Sequence, residues 1–273
     1  VRPIGGGKVF TFEPGSVRNG AYTAGMTVSW IETDAQENHA WLLHEFASLL
    51  TRRAPASVLD VGCGSGLLMR ECKERGIPIS GLDQAGPRLE GLRANGFEVH
   101  EGSAYELPFE DQSFDWVSMR HVPHHLEYPD RAFAEALRVA KTAFFIAEPC
   151  FDATVPSQRG AIALDRWEKR QHRRRGMFHA EVLDVGALLS FMPSGFEEHF
   201  HVEVQRRLRL RRRSITAFTN TANELTEGLP QGHPERTALA ELLELLERTG
   251  LTWNGSSCLT LLRHGTSAAG PGC

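Results

Sequence analysis

The residues from Val58 to Gly66 read VLDVGCGSG: an apolar run interrupted by the acid Asp60, then glycines at 62, 64 and 66. Glycines at a strand-to-helix crossover leave main-chain N–H groups bare, so a ligand can lie directly on backbone at the carboxyl edge of a sheet. A dinucleotide turn has glycine at its first, third and sixth places, to seat a pyrophosphate on the helix N-terminus. Here Leu67 fills the sixth place, and the glycines fall first, third and fifth. Asp83 ends the next apolar run, where a carboxylate can accept hydrogen bonds from both hydroxyls of a ribose. The spacing therefore points away from a dinucleotide and toward another ligand with a sugar.

Such a site needs a sheet to carry it, and the surrounding pattern supplies one. Short β-rich runs alternate with helical stretches, as in a parallel sheet with helices on its faces. Strands are expected at 57–61, 79–83, 97–101, 114–119 and 142–147, with helices at 67–75, 87–94 and 130–139 between them. The 142–147 run is almost wholly apolar, as a strand buried on both faces should be. Before the sheet, Asp34 and Glu37 have capping-box spacing, and Leu42, Phe46, Leu49 and Leu50 recur at helical intervals until Pro55. Residues 1–33 show no lasting period and are expected to form an irregular arm. Beyond Pro149 helices are expected at 157–175, 180–192, 216–225 and 235–249, with strand-like stretches at 196–210 and 257–263. No internal repeat or low-complexity tract interrupts the chain, so one domain spanning 1–273 is expected, with a core at 57–148 and helical additions at 151–192 and 214–250.

At these residues the chain resembles the class I S-adenosylmethionine-dependent methyltransferases, particularly the small-molecule branch that includes ubiquinone and menaquinone methylases. The resemblance covers roughly residues 57–148. It implies an α/β fold, a Rossmann-like doubly wound sheet of about seven mostly parallel strands. It also implies S-adenosyl-L-methionine as cofactor, with Asp60, Gly62, Cys63, Gly64 and Gly66 around its methionine part, Asp83 on its ribose and Gln84 beside it. The stretch GSAYELPFEDQSFDWV from Gly102 to Val117 is similar to the family segment that contacts adenine, which adds Ser103 and Ala104. Ser103 stands where the family usually has Asp, so a hydroxyl replaces the usual acceptor for the adenine amino group. The run from Leu137 resembles the family's entry to the fifth strand, with Ala140 to Thr142 in place of its double glycine.

Methyl transfer chiefly requires a nucleophile held in line with the methyl group and shielded from water. A hydroxyl or ammonium acceptor must also lose a proton, so residues at the ends of the fourth and fifth strands become catalytic candidates. These are His121, as a base, and Glu148, as a base or an anchor for a cationic amine or guanidine, with His124 and His125 as alternatives. Tyr22 and Trp30 on the arm, and His125, are substrate-contact candidates. A metal-assisted set of His121, His125, Glu148 and Asp152 matches catechol methylases badly, so no metal is expected.

Composition bounds the partners. Thirty Lys and Arg against 34 Asp and Glu give a formal charge of −4, which argues against nucleic acid or an anionic membrane as a general partner. Local exceptions are RWEKRQHRRR at 166–175 and RRLRLRRR at 206–213, which hold twelve of the 30 basic residues. They leave RNA methylation as an alternative reading, and a non-catalytic cofactor-binding or partner-binding subunit as another. Five cysteines without a C-x-x-C pair read as reduced thiols, and with no signal layout or membrane-length apolar run they point to a cytoplasmic protein acting on a small molecule.

Overall fold

The computed structural model describes residues 35–265. In chain order the elements are α1 (Ala35–Arg53), β1 (Val58–Val61), α2 (Leu67–Glu74), β2 (Ile79–Asp83), α3 (Pro87–Ala94), β3 (Val99–Glu101), β4 (Phe114–Arg120), α4 (Pro129–Val139), β5 (Ala140–Cys150), α5 (Pro156–Arg174), α6 (Val185–Ser190), β6 (Phe200–Arg207), α7 (Ile215–Thr226), α8 (Pro234–Thr249) and β7 (Gly255–Arg263). The strands form one seven-stranded sheet in the order β3-β2-β1-β4-β5-β7-β6. The run from β3 to β5 is parallel, and β7 lies antiparallel between β5 and β6. The expected Rossmann-like fold is present. Because the chain builds outward from β1 to β3 and then returns to place β4 on the other side of β1, the order reverses between β1 and β4. Open α/β sheets bind ligands at the carboxyl ends of the strands flanking such a reversal.

Alternation along the strands separates the two faces. Phe144 packs with Leu59, Val117, Phe133 and Leu259 on one side, and its neighbour Phe145 packs with Leu42, Phe46, Leu50 and Trp116 on the other. Helix α1 delivers the second set by burying Leu42, Phe46, Leu49 and Leu50 along one stripe, and it ends at Arg53, before Ala54 turns left-handed (φ 46°) ahead of Pro55. A third cluster joins α5, α7 and α8 through Leu164, Trp167, Phe218, Leu242 and Leu246. Gly160 permits that layer, since a Cβ there would come within 2.9 Å of both the Gly250 carbonyl and Leu246 Cδ2.

Several boundaries differ from the sequence reading, each for a local reason. Helix α4 runs straight into β5 with no loop: Ala140 already has extended dihedrals (φ −74°, ψ 123°) and pairs with Phe114. Ala140 to Thr142, which stand in place of the family's double glycine, are therefore the first stretch of the strand. Helix α6 is capped by Asp184, which accepts from the Ala187 N–H at 2.8 Å, so the helix starts well after residue 180 and leaves 175–184 irregular. Strand β6 is an edge strand that stops at Arg207, so Leu208 to Leu210, included in the expected strand-like stretch, leave the sheet. The expected capping residue Asp34 and the whole of 1–33 lie outside the described residues.

Candidate functional site

The glycine turn folds as three consecutive left-handed corrections, with φ of 72° at Gly62, 55° at Gly64 and 73° at Gly66. Each conformation is costly for an L side chain. The surroundings distinguish the three positions. A Cβ at Gly62 would meet Val122 Cγ2 at 2.5 Å, and one at Gly66 would meet Leu92 Cδ2 at 2.3 Å, whereas Gly64 has nothing within 4 Å. The middle glycine thus has open space where a side chain would stand. The turn is fixed to the end of β2, because Gly62 and Cys63 both donate their N–H to the Leu82 carbonyl, at 2.7 and 3.1 Å. Asp83 completes the connection: Oδ2 accepts from the Gly64 N–H at 2.6 Å and Oδ1 from the Gln84 N–H at 2.8 Å. Gly102 donates to the Asp83 carbonyl at 3.0 Å, which brings Ser103 and Ala104 to the same edge. Ser103 Oγ accepts from the Tyr105 N–H at 3.2 Å.

Behind the turn, Asp60 is buried and accepts from Ser118 Oγ at 2.8 Å. Burial pushes its carboxyl up to about 6, against the opposing pull of the Ser118 hydroxyl and the Arg120 guanidinium. Ser118 is the register partner of Asp60 on the adjacent strand. Cys63 is also buried, and its thiol is pushed up to about 12, so it is a packing group in contact range of Gly81.

At the ends of β4 and β5 the structure gathers a wall of histidines. His121 terminates β4 in a left-handed conformation (φ 56°), with its N–H on the Ala147 carbonyl at 2.8 Å. Val122 packs over Gly62, and a turn at Pro123–His125 follows. His124 Nδ1 meets Glu148 Oε2 at 2.5 Å, with Glu148 at 0% and His124 at 6% exposure. Glu148 Oε1 has no hydrogen-bond partner among the described residues, and burial raises its carboxyl, opposed by the His124 contact. From the irregular stretch after α5 comes His179, which the sequence reading missed. Its ring stacks on His124 at 4.9 Å and on His172 at 5.1 Å, and lies 4.4 Å from His125 between centroids. The Ala180 N–H donates to the His124 carbonyl at 2.8 Å, and Arg173 Nη1 donates to the His179 carbonyl at 2.5 Å, so the loop is tied on both sides.

The His121, His125 and His179 rings are neutral near pH 7. Burial, followed by neighbouring histidines, lowers His125 to about 4 and His179 to about 3. Burial and then Arg120 hold His121 well below its ordinary value, which makes it a weak proton acceptor. The expectation that Glu148 anchors a cationic substrate meets an obstacle: its side chain is sealed from the surface, and one oxygen is held by His124. Tyr22 and Trp30 lie outside the described residues.

Residues 59–145 match the family called the methyltransferase domain. A ubiquinone biosynthesis O-methyltransferase from Hahella chejuensis is 33% identical over 91 residues, covering 31% of this chain and 38% of that protein. Mouse "probable tRNA methyltransferase 9B" is 32% identical over 144 residues, covering 52% of this chain and 28% of that protein. The chain thus spans well under half the length of these relatives. In structure, the YcgJ protein of the Bacillus subtilis crystal structure superposes with a TM-score of 0.56 at 17% identity, covering 84% of this chain and all of that one, a likeness of fold.

The cofactor of a methyltransferase domain of this kind is S-adenosylmethionine, and the residues present fit it. Gly64 offers the open stretch of backbone, Asp83 a carboxylate whose orientation is fixed by two main-chain donors, and Asp60 a buried acid facing the turn. Around the methyltransferase domain, much of the basic charge is already matched. Arg173 and Arg166 face Glu181 at 3.0 and 3.8 Å, Arg170 faces Glu235 at 3.4 Å, and Lys169 faces Asp165 at 3.1 Å. Arg207 pairs with Glu45 at 3.1 Å and Arg213 with Glu168 at 3.2 Å, while Arg209 lies over the Trp41 ring. Among the described residues no helix is long and apolar enough to cross a membrane.

Proposed function

We propose that the protein transfers a methyl group from S-adenosylmethionine to an oxygen or nitrogen of a small molecule in the cytoplasm. The observation that carries this reading is the union of Gly64 and Asp83: an open left-handed glycine whose N–H is bonded to the carboxylate at the end of the neighbouring strand. When bound, the cofactor supplies a methyl group already activated by its sulfonium. The chain's own contribution is placement. The Gly62 to Gly66 backbone and Asp83 hold the adenosyl side, Ser103 and Ala104 line the base side, and His121 and His125 face the acceptor. Neutral imidazoles accept a hydrogen bond from a hydroxyl without adding charge beside a cationic cofactor. The sealed Glu148 and the buried Lys169 behind this wall favour a neutral hydroxyl-bearing acceptor over a cationic amine or guanidine. The O-methyltransferase named above supports the same preference.

Isothermal titration of the full chain with S-adenosylhomocysteine tests the cofactor half. Heat of binding is expected from the parent, together with an affinity at least about tenfold weaker in Asp83→Ala, the loss of a charged hydrogen-bond acceptor. No heat from folded parent protein would overturn the reading. Isotope-labelled S-adenosylmethionine, supplied with a metabolite extract and separately with total RNA, tests the acceptor. Label is expected in small molecules. Label in RNA, with binding that falls steeply with salt, would replace this reading with RNA methylation, which the internally matched arginines disfavour. Tight cofactor binding with no labelled product from either source would instead indicate a non-catalytic subunit.

A further inference from the structure

We propose that His124, His125 and His179 bind one divalent transition-metal ion of the zinc type, leaving a coordination position open for a donor atom of the substrate. The inference concerns a metal and does not depend on methyl transfer. One ring nitrogen from each of the three residues lies within 4.8 Å of the other two. Tetrahedral zinc with metal–nitrogen bonds near 2.0–2.1 Å needs nitrogens roughly 3.4 Å apart, so an ion would draw the three nitrogens together and turn the His124 and His179 rings out of their near-parallel stacking at 16°. His125 is exposed, which gives that ring freedom to move and gives an ion a path of entry.

The surroundings are those of a built site. Metal-binding imidazoles characteristically engage their second nitrogen with a carboxylate, a carbonyl or another fixed group, and this partner sets ring orientation and tautomer. Two of the three rings do so here. His124 uses Nδ1 on Glu148 at 2.5 Å, and His179 uses Nδ1 on His172 Nδ1 at 2.9 Å. In His124 and His179 the Nε2 atoms are left for an ion. The loop bearing His179 is fastened to the turn bearing His124 by the Ala180 N–H, so the two halves of the site are held together. Glu148 and Asp165 supply negative charge nearby, facing the Lys169 ammonium and the Arg173 guanidinium on the His179 carbonyl.

Three imidazoles select a borderline-soft ion over magnesium or calcium, which prefer oxygen. A three-ligand set with one side exposed is the arrangement of sites that hold a substrate atom or water in the fourth position. Val122 packs over Gly62, so this turn adjoins the glycine turn. The set differs from the catechol-type group weighed in the sequence. Glu148 stands behind His124 as its orienting partner, and Asp152 is turned to the Thr154 hydroxyl at 2.6 Å.

Cobalt(II) titration of tag-free, chelator-stripped full chain, followed by visible absorption, tests the site, with zinc as competitor. One equivalent of cobalt in a low-symmetry nitrogen environment, displaced by one equivalent of zinc, is expected. His125→Ala and His179→Gln should each weaken cobalt binding by about 100-fold, and Glu148→Gln by about 10–100-fold, as second-partner losses do. A spectrum that remains that of the aqueous ion, or equal affinity in parent and His125→Ala, would overturn the proposal. Far-ultraviolet circular dichroism on each sample reports folding. If His179→Gln proves unfolded, the exposed His125 variant decides alone. S-adenosylhomocysteine heats on the same samples separate the two readings: cofactor binding without cobalt binding defeats the metal site only, and the converse defeats the methyl-transfer reading only.

Discussion

Asp60 occupies a position that disfavours its own charge. Its carboxyl holds a proton to about pH 6 when folded, against an ordinary value of 3.8. The folded state therefore binds that proton more tightly than the unfolded chain does, and stability falls as pH rises from about 4 to about 6 and remains lower above that window. A shift of this size corresponds to roughly 3 kcal/mol. Asp60→Asn keeps an oxygen for the Ser118 hydroxyl and removes the titration. The prediction is that urea midpoints for parent and variant lie close at pH 4 and separate by pH 7.5, with the variant more stable; parallel curves would contradict it. The same variant should bind S-adenosylhomocysteine more weakly, because the retained charge serves the ligand at the expense of the fold. Sequence alone pointed to Asp83 as an acid at the end of an apolar run, and to Asp60 through the family resemblance of the glycine turn. His179 was invisible there: it lies in an irregular stretch with no periodicity, and only the folded loop brings it onto His124.

At the scale of the element, the glycine turn separates stability from binding. Gly66→Ala must adopt a left-handed φ and also drive a methyl into Leu92, so it should cost about 2–4 kcal/mol in chemical denaturation. Gly64→Ala meets no neighbour and should cost only about 1–2 kcal/mol, yet its methyl group projects where the ligand must lie, so S-adenosylhomocysteine heat should disappear. Equal loss of stability in the two variants, or retained heat in Gly64→Ala, would show that the open side of the turn does not face the ligand. This turn, the strands around it and the helices from α2 to α4 were legible because each run has the length and period of its element. The region after β5 was less so. There the arginine-rich runs suggested charge facing outward, but Glu45, Glu168, Glu181 and Glu235, remote in sequence or on another element, meet them in the fold. Such pairing depends on tertiary approach and leaves no local pattern.

Across the whole molecule, two packing units meet: the sheet with its flanking helices, and the α5, α7 and α8 layer with Trp167 and Phe218 edge to face. Helix α5 carries His172 and Lys169 toward the acceptor wall on one side and Gly160 toward α8 on the other. Gly160→Val should wedge α5 from α8 and lower the calorimetric midpoint by several degrees, at about 1–3 kcal/mol of overpacking. An unchanged midpoint would mean that the contact yields freely. The joint between α4 and β5 has a sharper consequence. At that joint the pairing of β4 with β5 slips by one residue, since Phe114 lies opposite Ala140 but Trp116 opposite Ala143. A bulge of this kind takes up one residue without moving the pairs that follow. One codon added just past it, after Ala143, has no such outlet: Phe144 and Phe145 would trade sides, and Glu148 would swing away from the imidazole it orients. A single-codon insertion far from the glycine turn would thus dismantle the histidine wall.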